Sequence, residues 1–366
     1  MLAVNAAVMV GVLVYKITLP PYVPYLHLLV DYHFGFSKRA LIGAIVALFT
    51  DKVPVWLVFA IGGAAWLVTA ALFVRLFRQT FGFSNEHLPL FVLMVGSPFF
   101  LKNFLFTLGH FDIYGCAAAI VLLLVPARSI GFVTGAALAS MVLILIHHIH
   151  FLMYVPTIAV IVVLRHYLVQ GVTSRNALAG VVAMLAVGAL FLATQFWGTL
   201  TVSPAEFVAR AQGRVADPSN ENMLRHIYAF AYIWYQPLSQ EVRDTWARMP
   251  SNLLGVPVYA LLIWFHAPLW RYFRESVCAL ASDIHRRLIV AAIVFVSAAY
   301  FVMFAMIFDY ARWVSNWIVC LFLILHAIRT LPASKQVPLV SPDDRKSIIH
   351  GWLVTAIPRV GIIRPF

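Results

Sequence analysis

Apolar runs close to twenty residues long recur along this chain, each ended by a short polar break. Coiled as a helix, such a run spans the roughly 30 Å hydrocarbon core of a bilayer. A soluble domain could not bury so much of itself. Over 366 residues, 63% are hydrophobic, 11% are charged, and the mean hydropathy is +0.90. A membrane β-barrel would show alternating ten-residue segments, and these runs do not alternate. The predicted fold class is therefore all-α. It is a polytopic transmembrane helical bundle of about ten spanning helices, with a short re-entrant or interfacial helix and one long periplasmic loop.

The first run, Leu2 to Leu19, lacks a basic leader and a small-residue cleavage site, so it reads as a retained helix. After Pro20-Pro21 comes the first polar break, which carries Asp31, His33, Lys38 and Arg39. Ala40 to Thr50 is apolar but too short to cross. Further spans are expected at Val53–Phe77, His87–Leu101, Phe111–Val125, Ile130–Ile146, Phe151–Leu164 and Asn176–Phe196. The long loop, residues 197–252, separates these from Leu253–Trp270, Leu288–Phe308 and a last span ending near Ile328. Residues 1–328 thus form the transmembrane domain, and residues 329–366 read as a basic cytoplasmic tail.

With the N-terminus inside, fifteen Lys and Arg fall in the inner turns and the tail. Only five (Lys38, Arg39, Lys52, Lys102 and Arg312) fall in the short outer connections. That asymmetry sets the orientation, with the multi-pass chain in a bacterial inner membrane. The net charge of +12 is accounted for by orientation and anionic lipid, so nucleic acid is not an expected partner. Cys116, Cys278 and Cys320 are far apart and show neither metal spacing nor a disulfide framework.

The outer connections then collect the ionisable groups. They hold Asp31, Lys38 and Arg39, then His110 and Asp112, then His147, His148 and His150, and finally Asp309 and Arg312. Charge at a helix end inside a bundle is costly unless paired or wetted, which makes each a candidate for function. Each also has a structural reading. Asp31 pairs with Lys38 or Arg39, Asp112 caps a helix, and Asp309 with Arg312 forms a local i, i+3 pair. His147 and His150 share a helix face, but a metal would need further ligands, and none stands at matching spacing. No cofactor is indicated, and a divalent metal is left open. In the long loop, Tyr228, Phe230, Tyr232, Trp234 and Tyr235 are an interfacial belt or a platform for sugar rings or an acyl chain.

The layout resembles bacterial glycan-assembly proteins of the broad GT-C class, including O-antigen and exopolysaccharide polymerases. The resemblance rests on Asp31, Lys38-Arg39 and the short Ala40–Thr50 segment after the first helix, and on Asp309-Tyr310-Ala311-Arg312-Trp313. The histidine cluster running into Phe151 and Pro156 belongs to it as well. The acidic pair of many such enzymes is missing at Asp31. The resemblance implies a polyprenyl-linked sugar donor, a glycan or lipid acceptor, and contact with membrane lipid. Lys38, Arg39 and Arg312 would neutralise the donor phosphate, with His110, His147 and His150 beside it. Asp31 would be the base, with Asp112 or Asp309 in reserve. The expectation is one cavity, open outward and toward lipid, lined by all nine. A transporter or flippase, or a non-catalytic assembly subunit, is the rival reading.

Overall fold

A computed structural model describes residues 1–366 apart from 201, 218–224, 226–228, 230, 281, 308, 332–344 and 361–366. Among the described residues the fold is helical, and the only bridge between extended segments joins Val53 to Val215. Four helices are long and apolar enough to cross a membrane: α4 (Trp56–Thr80), α12 (Ser174–Trp197), α18 (Asp283–Met306) and α19 (Tyr310–Arg329). α1 (Leu2–Ile17) and α2 (Tyr22–Leu29) together have the same length and apolarity but are bent by 64° at Thr18–Pro21, the geometry of a broken span or a re-entrant loop. Prolines 20 and 21 cause that bend, since proline cannot continue the hydrogen-bond ladder.

The expected ten full-length spans therefore resolve into four or five long helices and a set of shorter apolar ones. α7 (Asp112–Leu124) and α8 (Ile130–Ile146) are two of these. The run His87–Leu101 breaks at Ser97-Pro98 into α5 (Leu88–Val95) and α6 (Leu101–Phe106). The run from Phe151 is carried by α9 (His150–Met153) and α10 (Val155–Val162), and continues through a π turn at Val163–Tyr167 into α11 (Leu168–Gln170).

Ala40–Thr50 is the short element it promised to be. α3 (Leu41–Ala47) has seven residues, and Leu48 and Phe49 beyond it are 80% and 83% exposed, as an interfacial anchor would be. It packs so closely on α2 that a Cβ at Gly43 would lie 1.9 Å from the Val30 carbonyl oxygen.

The loop contributes α13 (Pro204–Gly213), α14 (Tyr232–Tyr235) and α15 (Leu238–Leu253). Tyr228 and Phe230 lie outside the described residues. Phe207 and Trp234 close a second apolar core over α2 and Phe34. α16 (Val256–Trp264) and the amphipathic α17 (Ala267–Cys278) return the chain to α18.

Burial distinguishes the long helices. In α4, α12 and α18 only 11–22% of the apolar window is buried, so these present apolar faces outward, as lipid-facing helices do. In α19 the share is 78%, which makes it the central post of the bundle.

The tail differs from the sequence reading. α20 (Arg345–Ala356) packs against α1, α5 and α17 rather than standing apart. A Cβ at Gly351 would lie 3.4 Å from the Met1 sulfur at the start of α1, and the Arg359 guanidinium lies 3.8 Å over the Phe106 ring. Lys102, expected in a short outer connection, holds this segment. Its ammonium donates to the carbonyls of Gly96 (2.8 Å), Val354 (3.3 Å), Thr355 (2.7 Å) and Ile357 (3.0 Å). The last carbonyls of a helix have no partner within it, and a buried cation there satisfies them.

Candidate functional site

Helix ends meet at one end of the bundle and bring most of the candidate residues together. α19 starts with Asp309 as its N-cap and carries Arg312 in its first turn. The Arg312 Nε lies 3.2 Å from Asp112 Oδ2 and 3.5 Å from Asp309 Oδ2. An Arg312 terminal nitrogen donates to His110 Nδ1 at 3.1 Å, and the guanidinium stacks 4.2 Å over Trp313. Asp112 opens α7, where the helix dipole favours a carboxylate. Its Oδ2 also accepts from Asn316 Nδ2 at 3.4 Å, while Oδ1 is buried without a hydrogen-bond partner.

Asn316 is itself held. Its Nδ2 donates to the Arg312 carbonyl at 2.9 Å, and its Oδ1 accepts from the Tyr154 hydroxyl at 2.7 Å. Gly115 makes room for this arrangement, because a Cβ there would lie 2.2 Å from the Tyr154 ring and 2.9 Å from His150.

The histidines come from the end of α8 and the start of α9. His147, His148 and His150 are all buried. Their ring centroids are 5.4 Å apart for His147–His148 and 6.1 Å for His147–His150. His150 Nε2 donates to the Phe111 carbonyl at 3.2 Å, one residue before Asp112. Burial, reinforced by the nearby Arg39 guanidinium, holds the His147 and His148 imidazoles well below the usual histidine range. Both are therefore neutral at physiological pH.

Lys38 and Arg39 enter from the other side. The loop fixes the Lys38 backbone, whose N–H donates to the Gly198 carbonyl at 2.8 Å and whose carbonyl accepts from Trp234 Nε1 at 2.9 Å. Trp234 is thus a buried clamp rather than an exposed platform. Burial also lowers the Lys38 ammonium below the usual lysine range, with Glu241 acting against that. Arg39 has a φ of 62°, the only positive value at a non-glycine among the described residues. Such strain persists only where the surroundings impose it, and it is characteristic of ligand clamps.

Asp31 does not join the cluster. Its Oδ2 pairs with Arg214 at 2.9 Å, and its Oδ1 accepts from the His33 N–H at 2.9 Å. Arg214 also donates to the Leu29 carbonyl. Asp31 therefore ties the long loop to the first connection, which is the structural reading generalised to a partner 183 residues away. The expected open cavity is likewise not what the helix ends form, since Asp112, Lys38 and the histidines are almost fully covered. A cavity of about 290 Å³ lies instead beside Met1, Leu88 and Tyr272. Tyr272 stacks with Arg329, at the opposite end of α19. Among the described residues no group of three or more His, Cys, Asp or Glu is arranged to hold a metal.

Sequence reasoning missed three members. Asn316 stands four residues after Arg312, and Tyr154 four after His150, so the helical repeat pointed to both. His27 had no such signal, being a single histidine in an apolar helix. No family model matches the chain, no curated protein matches its sequence, and no solved structure matches its fold.

Proposed function

We propose that the chain is a multi-pass glycosyltransferase or glycan polymerase. It takes sugar from a polyprenyl phosphate- or diphosphate-linked donor at the periplasmic face of a bacterial inner membrane. In this reading the shorter apolar helices complete about ten crossings, and residues 197–252 are the periplasmic loop. The observation that carries the proposal is the Asp112–Arg312 pair. A buried carboxylate keeps one oxygen free of hydrogen bonds while a guanidinium holds the other, with Arg39 close by.

The chemistry then divides by residue. Arg312, Arg39 and Lys38 neutralise the phosphate as it leaves with the glycosidic bonding pair. Asp112 accepts the proton of the acceptor hydroxyl as its oxygen bonds to the anomeric carbon. Asp309 and His110 hold Arg312 in place. Asp31, in the loop clasp, is released from the base role. The lipid tail of the donor stays in the bilayer, beside the anchor formed by Leu48 and Phe49.

One observation favours a transporter or flippase instead. The chain Asp112–Asn316–Tyr154 leads from the helix ends toward the bundle interior, as a relay would. Reconstituted vesicles separate the two readings. Supplied with labelled polyprenyl-phosphate sugar, the enzyme transfers label to a glycan or lipid acceptor. A transporter moves the donor across the bilayer and leaves the glycosidic bond intact.

A further inference from the structure

The cavity beside Met1, Leu88 and Tyr272 belongs to none of the machinery proposed above. Its walls come from α5, α17 and α20, with Met1 at the start of α1. Close packing leaves few voids in a protein interior larger than a water molecule. An apolar cavity of about 150 Å³ already stays dry and takes up a benzene-sized ligand, and this one holds about 290 Å³. A space of that size, lined mostly by aliphatic side chains, suits an apolar ligand.

The lining is graded from end to end. Leu90, Val92, Leu93 and Tyr272 are buried, whereas Asn85, Glu86 and Leu88 are exposed. The chain therefore enters the cavity wall at a polar mouth and runs along α5 to an apolar floor. An amphiphile with its tail inward and its head at the mouth matches that gradient. α17 is amphipathic, with Leu269, Phe273 and Val277 buried and Arg271 and Arg274 exposed, as a helix lying in a membrane interface is. The mouth is thus within reach of a bilayer lipid.

The mouth also selects the head. Among the described residues Glu86 is the one charged side chain in the lining, and its carboxylate is in no ion pair there. A carboxylate only accepts hydrogen bonds, so the group it takes must donate them. The chain around the cavity is otherwise basic. Lys346 precedes the lining residue Ser347, Arg271 precedes Tyr272, and both cations are exposed. A head with an ammonium for the carboxylate and a phosphate for the cations answers both signs of charge.

We propose that this cavity binds one tail of an aminophospholipid of the phosphatidylethanolamine class, with the ammonium of the head on Glu86. The site is separate from the Asp112–Arg312 cluster, and the glycosyl-transfer reading does not depend on it.

The test is native mass spectrometry of the full-length protein, stripped of lipid in detergent and titrated with dioleoyl phosphatidylethanolamine, phosphatidylcholine or phosphatidylglycerol. Phosphatidylcholine keeps the phosphate and the positive charge, but its trimethylated nitrogen has no hydrogen to give. Phosphatidylglycerol has no ammonium. Wild type is expected to hold one phosphatidylethanolamine about threefold more tightly than either of the others, the scale of one exposed ion pair. Glu86→Gln should abolish that preference and still bind lipid. Leu88→Trp, at an exposed lining position, should leave the melting temperature of the lipid-free protein unchanged. It should weaken phosphatidylethanolamine about tenfold, the loss expected when about two methylenes of the tail are displaced. Equal binding of the three lipids by wild type, or tighter binding of phosphatidylglycerol, overturns the proposal. Undiminished binding in Leu88→Trp would place the lipid elsewhere and overturns it too, as does a wild type that holds no lipid.

Discussion

Lys102→Met is the perturbation whose consequence can be worked furthest from the geometry. Methionine keeps the length and volume of the stem but removes an ammonium that serves four carbonyls. Three of these, on Val354, Thr355 and Ile357, close the C-terminal segment. A hydrogen bond from a charged donor contributes about 1.5–3 kcal/mol net, and an ammonium has three hydrogens to give. Against this stand several kcal/mol recovered by no longer burying a charge. The balance is about 3 kcal/mol lost from the docking of residues 345–360, or roughly a hundredfold more of the undocked form. Val354 is fully buried in the docked state. With Cys278, the one exposed native thiol, replaced by serine, Val354→Cys should react slowly with maleimide. Adding Lys102→Met should speed that reaction roughly a hundredfold. Equal rates in the two backgrounds would show that Lys102 does not hold the segment, and the account of the tail would fall with it.

Two further outcomes follow from the site and the orientation. Burial depresses the folded-state pKa of His147 and His148, so below about pH 6.5 the unfolded chain binds more protons than the native one. Stability should therefore fall as pH drops through that value, by about 1.4 kcal/mol per pH unit for each histidine. Thermal unfolding between pH 8 and 5 measures the slope, which His148→Gln should make shallower; an identical slope in the variant would contradict the assignment. Cys278 serves as a built-in topology probe. In intact cells an impermeant maleimide should spare it and should label Ser239→Cys in the long loop, whereas the reverse pattern would invert the orientation.

Much of the helical architecture was legible because hydropathy acts locally along the chain. The runs at Val53–Phe77 and Asn176–Phe196 correspond to α4 and α12, and the seven-residue α3 follows from a run too short to cross. What was illegible depends on pairing across the fold. Asp31 looked catalytic because its nearest cations in sequence are Lys38 and Arg39, yet its partner is Arg214, on the far side of the chain. Lys102 looked like an outer-face cation because its carbonyl partners lie some 250 residues onward. The run from Ile348 was masked by the basic residues around it, although α20 docks on α1 and α5. Asp112, Asp309 and Arg312 were found because a charge at a helix end is conspicuous in an apolar sequence. His27 was not, because nothing nearby in sequence suggests that it meets Phe111 and His147.

The central claim is that Asp112 takes a proton in glycosyl transfer while the cations hold the donor. It is tested most directly by Asp112→Asn beside wild type, in vesicles given labelled polyprenyl-phosphate sugar. Donor binding is measured separately from transfer. The account predicts that Asp112→Asn retains donor binding within a few-fold and loses transfer by about a hundredfold or more, the scale of a missing general base. Transfer at the wild-type rate in Asp112→Asn would contradict it.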